Sequence, residues 1–177
     1  MIDLGQETRT AQSREPLAVI VKDDRVKNKI LTIMIRTVSQ KMGVKENSRA
    51  FFINADNETL DNINLPAIDI SPTLEDDFDY IHLFVKTQAE FIEHFPKLKP
   101  HLKSTGMLWI SWPKGGKLGT DLNIKSVIKL GYDFGLVEST CLSINDIWAG
   151  LKFTHPKKGK VYNNSYGKLN QDKTTNR

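Results

Sequence analysis

Apolar residues along this chain fall into short continuous runs separated by stretches whose apolar positions recur at helical spacing. Residues 48–54 (S-R-A-F-F-I-N) read as a first core strand, and residues 79–85 (D-Y-I-H-L-F-V) as a second strong one, rich in aromatic and β-branched residues. Residues 107–112 (M-L-W-I-S-W) are apolar at nearly every position instead of alternating, the pattern of a strand covered on both faces by helices. Residues 67–70 suggest a short edge strand, residues 136–144 a later strand, and residues 151–154 its hairpin partner.

Between these runs the period changes. Ile30, Ile33, Met34, Val38 and Met42 approximate one helical face, closed by Gly43. Residues 58–66 fit a short helix or a loop, with Leu60, Ile63 and Leu65 as anchors. Thr87 is placed to cap a helix running to Phe95; Pro96 and Pro100 predict a break there and a second short helix ending near Ser104. Thr120 is placed to cap a helix carrying Leu122, Val127, Ile128 and Phe134, with Gly135 at its end. Residues 17–21 (L-A-V-I-V) could add a strand before all of this.

Strands alternating with helices, followed by two adjacent strands, predict a three-layer, Rossmann-like α/β domain with a mostly parallel sheet and a C-terminal antiparallel hairpin. Its expected extent is residues 34–155, with residues 1–33 an N-terminal extension or an upstream translated segment and residues 156–177 a basic, mobile tail. Ligands of such sheets sit outside the carboxyl ends of the strands, which points to residues 54–56 and 113–120.

The loop P-K-G-G-K-L-G-T-D, residues 113–121, has two lysines, three glycines and an expected helix start, the ingredients of an anion cradle; its spacing is not that of a Walker loop. Glycines that turn the chain and lysines that solubilise the turn are the plain alternative. Trp109 and Ser111 share one strand face and Trp112 takes the other, where tryptophan serves either core packing or stacking on a flat ligand. The candidate ligand-binding set is therefore Asn54, Asp56, Ser111, Trp112, Lys114, Gly115, Gly116 and Thr120, for a small anionic or nucleotide-like ligand. His82, His94, His101 and His155 match no zinc spacing, and the acids around Asp76 lack the glycine and final glutamate of an EF-hand, so no metal is expected.

Charge narrows the partners. Residues 155–177 carry six basic residues against one acid, whereas residues 34–154 carry 13 against 15. The basic balance belongs to the tail, so nucleic acid is expected only through it. No apolar run approaches membrane-spanning length, the start lacks a secretory pattern, and the single cysteine, Cys141, reads as a buried thiol; a cytoplasmic protein is expected.

The motifs W-I-S-W-P-K at residues 109–114 and W-A-G-L-K-F at residues 148–153, with L-K-P-H-L-K at 98–103, resemble a bacterial family of small proteins of unknown function over residues 36–154. The second half also resembles class I S-adenosylmethionine-dependent methyltransferases, in which an aspartate-led strand, a helix, an L-K-P-G-G-x-L strand, another helix and a terminal hairpin follow in this order. That resemblance implies a methyltransferase-like fold. The chain departs from it where the glycine-rich cofactor loop should follow the first strand, because residues 54–57 read N-A-D-N, and Asp69 alone could stand for the ribose-binding acid. The reading is a small-ligand or protein-binding module; the alternative is an atypical S-adenosylmethionine- or nucleotide-dependent transferase with Lys114 as anion contact.

Overall fold

The computed structural model describes residues 23–25 and 36–169. The expected strand at 17–21 and the helical positions Ile30, Ile33 and Met34 lie outside the described residues. The chain divides into two units, Met1–Ile35 and Arg36–Arg177, and the second contains the sheet.

In chain order its elements are α1 (Val38–Met42), β1 (Arg49–Ile53), α2 (Asn57–Ile63), β2 (Asp69–Ile70), β3 (Phe78–Phe84), α3 (Gln88–Leu98), β4 (Leu102–Pro113), α4 (Ile124–Asp133), β5 (Val137–Ser143) and β6 (Trp148–Thr154). The six strands form one sheet in the order β2-β1-β3-β4-β6-β5. Pairings among β2, β1, β3 and β4 are parallel, and β6 runs antiparallel between β4 and β5. The expected architecture is present: a Rossmann-like α/β fold with a mostly parallel sheet and an antiparallel C-terminal pair.

Both sheet faces are covered, which is why β3 and the second half of β4 read as mostly apolar runs without alternation. On one face Phe91, Phe95 and Leu98 of α3 and Val127 and Leu130 of α4 pack over Ile81, Leu83, Ile110, Trp112 and Phe153. On the other, Met42 and Ile63 pack over Tyr80, Phe84, Trp109 and Trp148. Contact is closest where α4 crosses β6: a Cβ at Gly131 would lie 2.0 Å from Cε1 of Phe153, so only glycine lets the helix settle there.

Three expectations are corrected. The helix expected to break at Pro96 is continuous from Gln88 to Leu98 with Pro96 inside it, because Phe91, Phe95 and Leu98 form one buried stripe across the break point. The helix after the glycine loop begins at Ile124 under the cap of Asn123, whose Oδ1 accepts from the amides of Lys125 and Ser126; Thr120 lies ahead of it. Cys141 is exposed on β5, although enough surrounds the thiol for burial to raise its pKa.

The segment after His155 shows no periodicity in sequence, yet residues 156–169 make specific contacts. Tyr162 and Leu169 pack on the α3/α4 side of the core, Asn164 donates to Glu138, and Lys125 lies 5.3 Å from the Tyr166 ring centre.

Candidate functional site

The sheet reverses direction between β1 and β3: from β1 the chain steps outward to β2, then returns past β1 to β3. Diverging connections leave a crevice at such a switch point, at the carboxyl ends of the two strands. A cleft of about 410 Å³ occupies that position, lined by Asn54, Asp56, Phe84, Lys86, Glu90, Leu118, Ile147 and Trp148.

Its floor is set by the end of β1. Asn54 adopts φ 57°, a left-handed conformation that asparagine tolerates better than most side chains, and its Nδ2 donates to the carbonyl of Phe84 at 3.2 Å. The amide thus ties the ends of β1 and β3 together where a glycine loop would leave open backbone. Asp56 caps α2, its Oδ1 accepting from the Thr59 amide at 2.6 Å.

The second wall comes from the β3–α3 turn. Glu90 Oε2 accepts from the Lys86 amide at 2.7 Å, Thr87 Oγ1 accepts from the Glu90 amide at 3.1 Å, and Asp121 Oδ1 accepts from the Gln88 amide at 2.8 Å. The start of α3 is therefore filled by the protein's own oxygens. Thr120 Oγ1 donates to the Lys86 carbonyl at 2.6 Å, fastening the glycine loop to this turn.

The third wall joins the glycine loop to the β5–β6 turn. Lys114 Nζ donates to Ser143 Oγ at 2.9 Å and Lys117 Nζ to the Asp146 carbonyl at 2.7 Å, so both lysines bind the hairpin. Leu118 and Ile147, each substantially exposed, form the apolar rim. Trp148 closes the inner side, meeting Phe84 edge-on at 5.3 Å.

Of the residues expected at a site, Asn54 and Asp56 line the cleft and Thr120 braces it. Lys114, Gly115 and Gly116 are not among the residues lining the cleft, and a Cβ added to either glycine would meet open space. Trp112 is buried on the α3/α4 face. Ser111 is fully buried, its Oγ 2.7 Å from His82 Nε2, and His82 Nδ1 lies 2.7 Å from Tyr80 Oη. This chain spans β3 and β4 beneath the cleft. Loss of hydration pushes the His82 pKa from 6.5 down to about 3, so the ring is neutral and offers one donor and one acceptor to its two partners. His82 in turn stacks on Phe84 at 4.2 Å, supporting the ring that faces the cleft.

Sequence reasoning missed Lys86, Glu90, Ile147 and Trp148, and it pointed to the loop that carries Leu118 without singling that residue out. The carboxyl-end rule, applied to β3 as it was to β1 and β4, points directly at Lys86 and Glu90. Ile147 and Trp148 carry no comparable signal, since only the tertiary placement of the hairpin brings them to the cleft.

No family model and no curated protein matches the chain. Several solved structures are similar to it. One is a ribosomal protein L11 methylase from Lactobacillus delbrueckii subsp. bulgaricus, at 11% identity and TM-score 0.48, covering 74% of this chain and 79% of that one. Another is a TehB-like SAM-dependent methyltransferase from Corynebacterium glutamicum, at 10% identity and TM-score 0.44, covering 75% and 97%. A third is a precorrin-6y C5,15-methyltransferase from Geobacter metallireducens, at 10% identity and TM-score 0.45, covering 78% and 91%. The likeness lies in the backbone arrangement.

Proposed function

We propose that the carboxyl-edge cleft binds a cationic nucleoside-type ligand of the S-adenosylmethionine class and that the chain is an atypical transferase built on that site. The observation that carries this reading is the composition of the cleft at the switch point: apolar and aromatic walls from Phe84, Leu118, Ile147 and Trp148, with the carboxylates of Asp56 and Glu90 against the single ammonium of Lys86.

The charge of the cleft favours one of the two ligand types the sequence suggests. A polyphosphate needs free amides and cations, but the Gln88 and Glu90 amides at the start of α3 are taken by Asp121 and Thr87, and Lys114 and Lys117 are held by the hairpin. Two carboxylates against one ammonium favour a ligand bearing positive charge. Asp56 and Glu90 would receive the ligand's hydroxyl or ammonium donors, and Leu118 and Ile147, the exposed apolar side chains of the rim, would cover its flat base. When bound, such a donor would supply a methyl group activated by its sulfonium charge.

Calorimetry with S-adenosylmethionine, S-adenosylhomocysteine and ATP tests the binding claim. The expected result is heat with the first two, little with ATP, and loss of binding in Leu118→Arg, which puts a cation and bulk at the rim of the cleft. Binding without turnover of any methyl acceptor would favour a ligand-binding module over a transferase. No heat with either sulfur nucleoside would overturn the proposal.

A further inference from the structure

A second pocket, of about 300 Å³, lies at the opposite, amino edge of the parallel strands, lined by Gly43, Lys45, Ser48, Asp79, Thr105, Gly106, Met107, Lys152 and Thr154. We propose that it is a binding site for a small phosphorylated molecule, with Lys45 and Lys152 as its charged contacts and the hydroxyls of Ser48, Thr105 and Thr154 as its neutral ones.

The pocket is produced by an irregularity in the sheet. Phe78 of β3 pairs with Leu102 of β4, but two residues later Tyr80 pairs with Met107, so β4 carries three extra residues across this step. Such a bulge redirects side chains out of the regular alternation and is common beside sites. Here it brings Thr105 to the pocket and turns Lys103 toward Asp79. Gly106 is required for the close passage, since a Cβ there would lie 2.9 Å from the Phe78 carbonyl oxygen.

The charges separate into a satisfied pair and an unmatched pair. Asp79 Oδ2 accepts from Lys103 Nζ at 2.9 Å and from the Arg49 amide at 3.0 Å, which neutralises Asp79 within the wall. Among the described residues, Lys45 and Lys152 form no ion pair, and both border the same cavity. Two ammonium groups with nearby hydroxyls, beside a lining carboxylate already balanced by Lys103, make a local excess of positive charge and hydrogen-bond donors, the chemistry that recognises a phosphate dianion. The cavity volume and the presence of only two cations suit one phosphoryl group on a small molecule better than a nucleic-acid backbone, which is held by a longer track of charge.

The experiment is an amide-resolved NMR titration of the full chain with inorganic phosphate and pyrophosphate at fixed ionic strength, chloride serving as the control anion. Saturable shifts are expected at the amides of Ser48, Thr105, Gly106 and Thr154, with affinity lowered about tenfold by Lys45→Gln and by Lys152→Gln. Lys45 is exposed, so its variant retains the fold even if the Lys152 variant is weakened. Glucose 6-phosphate and a short single-stranded oligonucleotide separate the two sources of phosphate. Shifts with the sugar phosphate support the proposal; a preference for the oligonucleotide that disappears in the lysine variants overturns the small-molecule assignment. Shifts that spread over the basic surface, that chloride reproduces, or that survive both substitutions overturn the site itself.

Discussion

Replacing His82 tests the buried Tyr80–His82–Ser111 chain through its pH dependence. The ring is fully buried and both nitrogens are engaged at 2.7 Å, so the folded protein resists protonation until pH falls to about 3, whereas an unfolded histidine takes its proton near 6.5. The sign follows directly: below pH 6.5 the unfolded chain binds a proton that the native state refuses, so stability from this group is complete above 6.5 and is lost as pH falls toward 3. At pH 5 the loss is about 2 kcal/mol, and fully developed it is about 5 kcal/mol. Carboxylates contribute their own acid dependence, so the quantity to measure is the difference between the wild type and His82→Gln in urea unfolding at pH 7.5, 6 and 5. Glutamine keeps one donor and one acceptor between Tyr80 and Ser111 but cannot titrate. The wild type should lose about 2 kcal/mol relative to the variant between pH 7.5 and pH 5. A difference that stays flat across that window would refute the assignment of a neutral, locked imidazole.

Two other perturbations probe the packing. Gly131→Ala places a methyl 2.0 Å from Phe153 Cε1 and should destabilise the fold by about 3 kcal/mol, read as a lower urea midpoint with unchanged slope. Truncation after residue 155 removes the contacts of Tyr162, Asn164 and Leu169 and should lower the melting temperature by about 4–8 °C.

The sheet was legible because its central strands are buried on both faces, and burial writes itself into residues 79–85 and 107–112 as mostly apolar runs without alternation. Local signals failed where a distant contact makes the choice. Thr120 and Asn123 are both good helix caps; Asn123 caps the helix that begins at Ile124, while the Thr120 hydroxyl accepts from the Leu122 amide in the preceding turn and donates to the Lys86 carbonyl of the β3–α3 turn. Pro96 is a strong break signal overridden by one buried aromatic stripe. At the site, the turn after β1 could be found from the carboxyl-end rule, but the lysines of the glycine loop could not be assigned from spacing. Their partners, Ser143 and Asp146, sit on a hairpin that only the folded sheet brings alongside. Ser111 belongs to the same class, since its partner His82 lies on the neighbouring strand.

The cleft between β1 and β3 carries the functional account, and titrating the chain with S-adenosylmethionine in a calorimeter tests it most directly. The account predicts one saturable site, weakened by Glu90→Gln and abolished by Leu118→Arg, with ATP failing to compete. Absence of heat at millimolar ligand, or binding indifferent to both substitutions, would contradict it.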